Sequence, residues 1–184
     1  MILEILKYGS PVLREKGKEV GEVDDKIKQL AADMLDTMRS ANGVGLAAQQ
    51  VGVPVQITVI DVAGIEDRPS AMFIADKEVK LEDYMPLFLL NPKLKLSAEK
   101  ESGNEGCLSF PDMSAEIIRA TGVRCHARLL DGKEIEFDAA GLLARALQHE
   151  IDHLHGVLFI DRMNSAAKAG LAGKLKRLQK ETRG

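Results

Sequence analysis

Apolar residues recur three and four positions apart along DDKIKQLAADMLDTMRSANG, where Ile27, Leu30, Ala31, Met34, Leu35 and Met38 share one face. That spacing predicts an amphipathic helix, capped by Asp24 or Asp25, ended by Asn42-Gly43, and packed on its methionine–leucine stripe. Further on, VPVQITVID and LFLLNPKLKL carry strand-forming residues bounded by turn formers. VRCHARLLDGKEIEFDA alternates on both sides of Asp131-Gly132, which predicts a hairpin with those two residues as its turn. Asp138 is placed to cap a helix from about Ala139 to His155, with Gly156 at its C′ position. The segment after Asp161 reads as helical or frayed. This order, helix, many strands, then helix, predicts an α+β fold with one central helix packed against antiparallel strands.

Length and composition narrow the picture. The 184 residues fit one catalytic domain, 1–184, with 165–184 as a basic C-terminal tail. No repeat, low-complexity tract or linker divides them. A net charge of -3 argues against a dedicated nucleic-acid binder, which carries a strong basic excess. Two cysteines, Cys107 and Cys125, imply no disulfide framework and suit a reduced, cytoplasmic setting. Glu4 and Lys7 interrupt what would be the apolar core of a signal peptide, and no run is long and apolar enough to span a bilayer. No membrane partner is expected. With no coiled-coil or exposed apolar stripe, the expected state is a monomer.

The chemistry concentrates in QHEIDH, residues 148–153. Four residues are just over one helical turn, so His149 and His153 project from one face and can share an ion. Glu150 lies about a hundred degrees round the helix, off that axis but within reach of a metal-bound water. The alternative is a solvated helix end with chance histidines. A third ligand does not come from downstream. Gly156 follows His153 at metzincin spacing, but Phe159 stands where a ligand would be needed, Asp161 is two residues late, and Glu181 is nearly at the end. Upstream, Cys107 in EGCLSFP can complete a thiolate–bis-imidazole set with a fourth position open. Cys125 shares the apolar face of a strand with Val123, Ala127 and Leu129, and His126 takes the opposite face. His155 lies about two hundred degrees from His153 round the helix.

Three stretches then stand in order: GVGLAAQQ at 43–50, EGCLSFP at 105–111 and QHEIDHLHG at 148–156. Together they resemble the peptide deformylase family, hydrolases that remove the formyl group from the initiator methionine of new proteins. The resemblance covers nearly the whole chain. It implies an α+β fold in which antiparallel sheets wrap the QHEIDH helix. It also implies Cys107, His149 and His153 as metal ligands, Glu150 as general acid/base for a metal-bound hydroxide, and Gln50 and the Leu108 N–H as oxyanion donors. The implied metal is Fe²⁺ in the cell, although a Cys-His-His set tolerates Zn²⁺, Co²⁺ or Ni²⁺. The implied partners are N-formylmethionyl nascent peptides.

The substrate would approach the glycine loop closely at Gly43 and Gly45, adding as a strand, with Val44 closing a methionine pocket. Leu142, Arg145 and Ala146 fall one and two turns before His149, and Glu105 and Gly106 border the same place ahead of Cys107. The resemblance implies an apolar residue at 145. Arg145 therefore either lays its stem along the pocket with its charge in water, or faces solvent. Glu105 and Arg119 form either a pair that steadies the Cys107 loop or a surface pair. The basic tail is either a transient ribosome contact or a solvated helix. Two rival readings remain at this point: a metalloprotease on the same helix, and a non-catalytic metal-binding or ribosome-associated module.

Overall fold

The computed structural model describes residues 1–183. The first helix, α1 (Asp25–Ser40), starts where its sequence predicts, with the Asp24 carboxylate accepting the Ile27 N–H at 2.9 Å. Its apolar stripe packs on β1 (Gly45–Ala47) and β2 (Ile57–Ile60), where Met34, Met38, Leu46, Ile57 and Val59 are fully buried. The chain continues through β3 (Ser70–Ile74), β4 (Lys77–Val79), β5 (Leu87–Leu96), β6 (Lys100–Cys107), β7 (Phe110–Ala120), β8 (Gly122–Arg128) and β9 (Glu134–Gly141). Then come α2 (Leu142–Leu154) and α3 (Ser165–Arg183).

Seven strands form one antiparallel sheet in the order β1-β2-β5-β8-β9-β3-β4, and β6 and β7 form a separate long hairpin. Helix α2 lies between them. Leu143, Ala144 and Leu147 enter the core of the large sheet beside Ile60, Leu89 and Phe137. On another side, Gln148 pairs its amide with both backbone groups of Ala120 at the end of β7, at 3.0 and 2.9 Å. Eleven of the thirteen α2 residues are buried, so this is a central helix, and the polar Arg145, Gln148, His149, Glu150 and His153 are buried with it.

Two local expectations are corrected. Asp138 does not cap α2, because β9 continues past it and its carboxylate pairs with Arg124 across the sheet at 2.9 and 3.2 Å. Gly141 takes the cap position instead, at φ 69°, where a Cβ would stand 2.1 Å from the Pro69 carbonyl oxygen. Only glycine fits that backbone. The β8–β9 hairpin forms, but its turn is longer than Asp131-Gly132. Leu129 N–H bonds to Lys133 O, Gly132 N–H bonds to Leu129 O, and only Gly132 has positive φ. A two-residue type I′ turn needs positive φ at both positions; a type I turn with a bulge glycine needs it at one. Gly156 follows the end of α2 at φ 75°, as expected of a C′ residue.

Of the two readings of the segment after Asp161, the helical one holds from Ser165 to Arg183. Leu175 and Leu178 anchor α3 in a second core with Leu13, Phe110, Ile117 and Phe159. None of the described helices is long and apolar enough to cross a membrane. Behind α2 the chain is pinned by Asp161, which accepts the Leu158 N–H at 3.0 Å and pairs with Arg14. Burial pushes the Asp161 carboxyl up, but the Arg14 guanidinium and the Leu158 N–H outweigh it and leave the group below its ordinary value. A carboxylate held low in the folded state stabilises the fold above its unfolded pKa, and that contribution is lost as pH falls through the folded value. Asp161→Asn should therefore cost about 1 kcal/mol near neutrality. Urea denaturation should show the gap from wild type closing as the pH is lowered below about 4.

Candidate metal centre and its cleft

His149 and His153 project from α2 toward the turn that ends β6. Sheet pairing in the β6–β7 hairpin runs regularly from Lys100↔Ala120 to Gly106↔Ser114, then shifts to Cys107↔Phe110. Such an irregularity re-aims a side chain, and here it presents Cys107 to the helix. Cys107 Sγ lies 3.3 Å from His153 Nε2, and the ligand atoms of Cys107, His149 and His153 all fall within 4.8 Å of one another. They are the one such group of three among the described residues. Cys125, His126 and His155 stay apart from it. Cys125 is fully buried in the sheet core with its thiol pushed up to about 12 by burial, and His126 and His155 are exposed.

The donor set suits a divalent cation. Glu105 accepts four hydrogen bonds, from Arg119 Nε and Nη2, Arg145 Nη1 and His149 Nδ1, at 2.7–2.9 Å. Burial raises its carboxyl, but Arg119 and His149 more than reverse this and hold it well below the usual carboxylate range. An ionised carboxylate only accepts, so His149 Nδ1 carries the proton and Nε2 keeps its lone pair for a metal. Burial lowers His149, while Cys107 and Glu105 raise it further, so the net pull is towards positive charge. The same anions favour a cation between the donors. His153 is lowered by burial, and further by the neighbouring His149 and Arg119 charges, and stays neutral.

Glu150 sits in a different environment. It is wholly buried, its Oε2 has no protein hydrogen-bond partner, and burial raises its carboxyl to about 7. It packs against the backbone of Gly45, where a Cβ would stand 2.7 Å from Oε1. Gln50 closes the other side, in the short 3₁₀ turn Ala48–Val51 after β1. Its Oε1 accepts the Ala47 N–H at 2.9 Å, so Nε2 is the atom that faces Ser109 Oγ at 3.1 Å and Cys107 Sγ at 3.6 Å. The Leu108 backbone lies in the turn directly after Cys107.

These groups open on a cleft of about 480 Å³. Gly43, Val44 and Gly45 form one wall, Glu105, Gly106, Cys107 and Leu108 another, and Leu142, Arg145 and Ala146 the helix side. All the expected site residues therefore come together. A larger cavity of about 540 Å³ lies elsewhere, around Lys93, Leu94 and Gln148, and does not include the three ligand residues. Arg145 lines the cleft, as one of its two readings expects, but the charge in water that both readings give it is corrected. The residue is only 6% exposed, and its guanidinium turns into the hairpin onto Glu105 and backbone carbonyls rather than into water. Of the two readings of Glu105–Arg119, the surface pair is the one overturned: the pair is buried, and Glu105 also accepts from His149. Sequence reasoning missed Ser109, which is fully buried on Gln50, and Asp152, which holds Arg119 at 2.7 Å. Asp152 lies inside the metal motif, directly before His153, but nothing local marks its distant partner.

The polypeptide deformylase family model matches residues 2–169. The chain belongs to that family. A peptide deformylase of Methylacidiphilum infernorum is 43% identical over 180 residues, covering 98% of this chain and 94% of that protein. Among solved structures, the peptide deformylase of Thermotoga maritima matches with a TM-score of 0.76 and 34% identity, covering 89% of this chain and 99% of that one. The Plasmodium falciparum peptide deformylase matches at 0.82 and 30%, covering 97% and 96%. Deformylase membership agrees with a metal-dependent hydrolase and leaves no role for the non-catalytic reading. Gly45→Ala should push the Glu150 carboxyl off its seat. We expect at least about a tenfold loss of turnover, with the metal content of the purified protein unchanged by elemental analysis.

Proposed function

We propose that the chain hydrolyses the N-formyl group of peptides beginning with formylmethionine, releasing formate and a free α-amino group. The observation that carries this is the convergence of Cys107, His149 and His153 beside a buried, unpartnered Glu150 at the floor of one cleft. Cys107, His149 and His153 would hold a divalent metal, which would supply Lewis acidity and lower the pKa of a water from 15.7 to about 7. Glu150, itself near 7, takes the proton from the attacking water and delivers it to the departing amine nitrogen. Gln50 Nε2 and the Leu108 N–H donate to the oxygen that gains charge, each worth about 3–4 kcal/mol. The Ala47 bond keeps the Gln50 amide turned the right way.

The cleft also supports the substrate class. Strand β1 is at the edge of the large sheet, so an extended peptide can add alongside Gly45. Val44, Leu142, Ala146 and the Arg145 stem offer an apolar wall to a methionine side chain. Gly45, Glu150 and Gln50 crowd the acyl side, which suits a carbonyl bearing only hydrogen and rejects acetyl or internal peptide bonds. The metal in the cell is assigned as Fe²⁺, with Zn²⁺, Ni²⁺ and Co²⁺ as substitutes. The protein is assigned as a single-domain cytoplasmic monomer acting on nascent chains. Exposed Lys174, Lys176, Arg177 and Lys180 on α3 give it a cationic face for transient ribosome contact.

Formate release from formyl-Met-Ala-Ser, with no cleavage of the unformylated peptide, is the expected assay result; internal cleavage would instead support a protease. Glu150→Ala should keep its metal and lose at least about 100-fold in kcat. Activity of anaerobically purified, Fe²⁺-loaded protein should decay in air, whereas Ni²⁺-loaded protein should keep it; equal stability would remove the iron assignment. Reversing the charge of Lys174, Lys176 and Lys180 should reduce co-sedimentation with ribosomes without changing formate release. Equal sedimentation would discard the contact.

A further inference from the structure

Arg145 stands one turn before His149 on α2, and its guanidinium spans the hairpin beneath the metal ligands. Nη1 donates to Glu105 Oε2 at 2.7 Å and to the Ile117 carbonyl at 2.8 Å, and Nη2 donates to the Glu101 carbonyl at 3.1 Å. The guanidinium lies over Gly103, where a Cβ would stand 2.8 Å from its central carbon. One side chain thus ties α2 both to β6 and to β7. Arg119 already gives Glu105 a bidentate partner and a compensating charge. Arg119 is itself shared with Asp152, which Arg162 holds in turn at 3.0 Å. Neutralising Glu105 therefore does not require Arg145. Arg119–Asp152 and Gln148–Ala120 already join α2 to β7; what Arg145 adds is a tie to β6, the strand that ends in Cys107, at Glu105 and at the Glu101 carbonyl.

We propose that Arg145 is a positioning residue of the metal centre. By clamping Glu105 and the β6 backbone, it sets where the His149 ring and Cys107 meet. An apolar side chain here would line the cleft equally well but would leave β6 joined to α2 only through His149–Glu105 and the Cys107–His153 contact. This rests on the reading that Cys107, His149 and His153 hold a divalent metal.

Co²⁺ is the probe, with affinity measured by chelator competition and Cys107 ligation read from thiolate-to-cobalt charge-transfer absorption. Arg145→Met should weaken Co²⁺ binding about 10–100-fold, and Arg145→Lys should recover part of the loss. Gly103→Ala leaves Arg145 in the sequence but displaces its guanidinium, and should weaken Co²⁺ binding in the same direction. Gly103→Ala decides the matter if Arg145→Met does not fold. Met72→Ala, which opens the core of the large sheet, should lower Tm without moving Co²⁺ affinity. Wild-type Co²⁺ affinity in folded Arg145→Met, or in Gly103→Ala, overturns the proposal while leaving the metal reading intact. Absence of charge-transfer absorption in wild type overturns the metal reading, and this proposal with it.

Discussion

The site depends on one buried carboxylate. Glu105 comes from the hairpin, His149 from the central helix, and their contact at 2.9 Å is where the two ligand-bearing elements are registered against each other. A lone carboxylate in that interior would be prohibitively costly. Two arginines and an imidazole make it tenable, and breaking such a pair from one side typically costs about 3–5 kcal/mol. The same bonds select the His149 tautomer that leaves Nε2 free for a metal. A stabilising contact and a chemical choice are therefore one interaction.

Two carboxyl groups flank His149, and their surroundings drive them apart. Glu105 is surrounded by cations and stays ionised; Glu150 is packed against the Gly45 backbone with no cationic partner at bonding distance, and burial brings it to about 7. One can serve only as an acceptor that orients a ring. The other can gain and lose a proton near neutral pH, as a general acid/base must. Residue type does not separate these roles; the neighbours do.

The architecture brings substrate and metal to the same edge. Strand β1 is unpaired on its outer side, the hairpin ends in the turn that carries Cys107, and α2 closes the floor between them. Each wall thus comes from an element whose stability is decided elsewhere. The α1 stripe holds β1, the α3 leucines hold the hairpin, and the large-sheet core holds α2.

The local signals that carried furthest were periodicities and spacings. The α1 stripe, β5, the β8–β9 alternation and the His149–His153 pair are each set by neighbours within a few turns or strand residues, so composition and spacing determined them. The three motifs in order also carried the family and the grouping of Cys107, His149 and His153. The β6–β7 hairpin was hidden because Lys100–Gly106 is polar on both faces and shows no alternation. Asp138 looked like a cap because its sequence cannot show that Arg124 lies across the sheet from it. Arg145 read as a pocket or solvent residue because helical spacing fixes the direction in which a side chain leaves the axis, not what it meets there. Glu105 and two backbone carbonyls, forty and more and twenty-eight residues away in sequence, decided its role. Short-range geometry is written along the chain. The pairing of a buried charge is settled only once distant segments close around it.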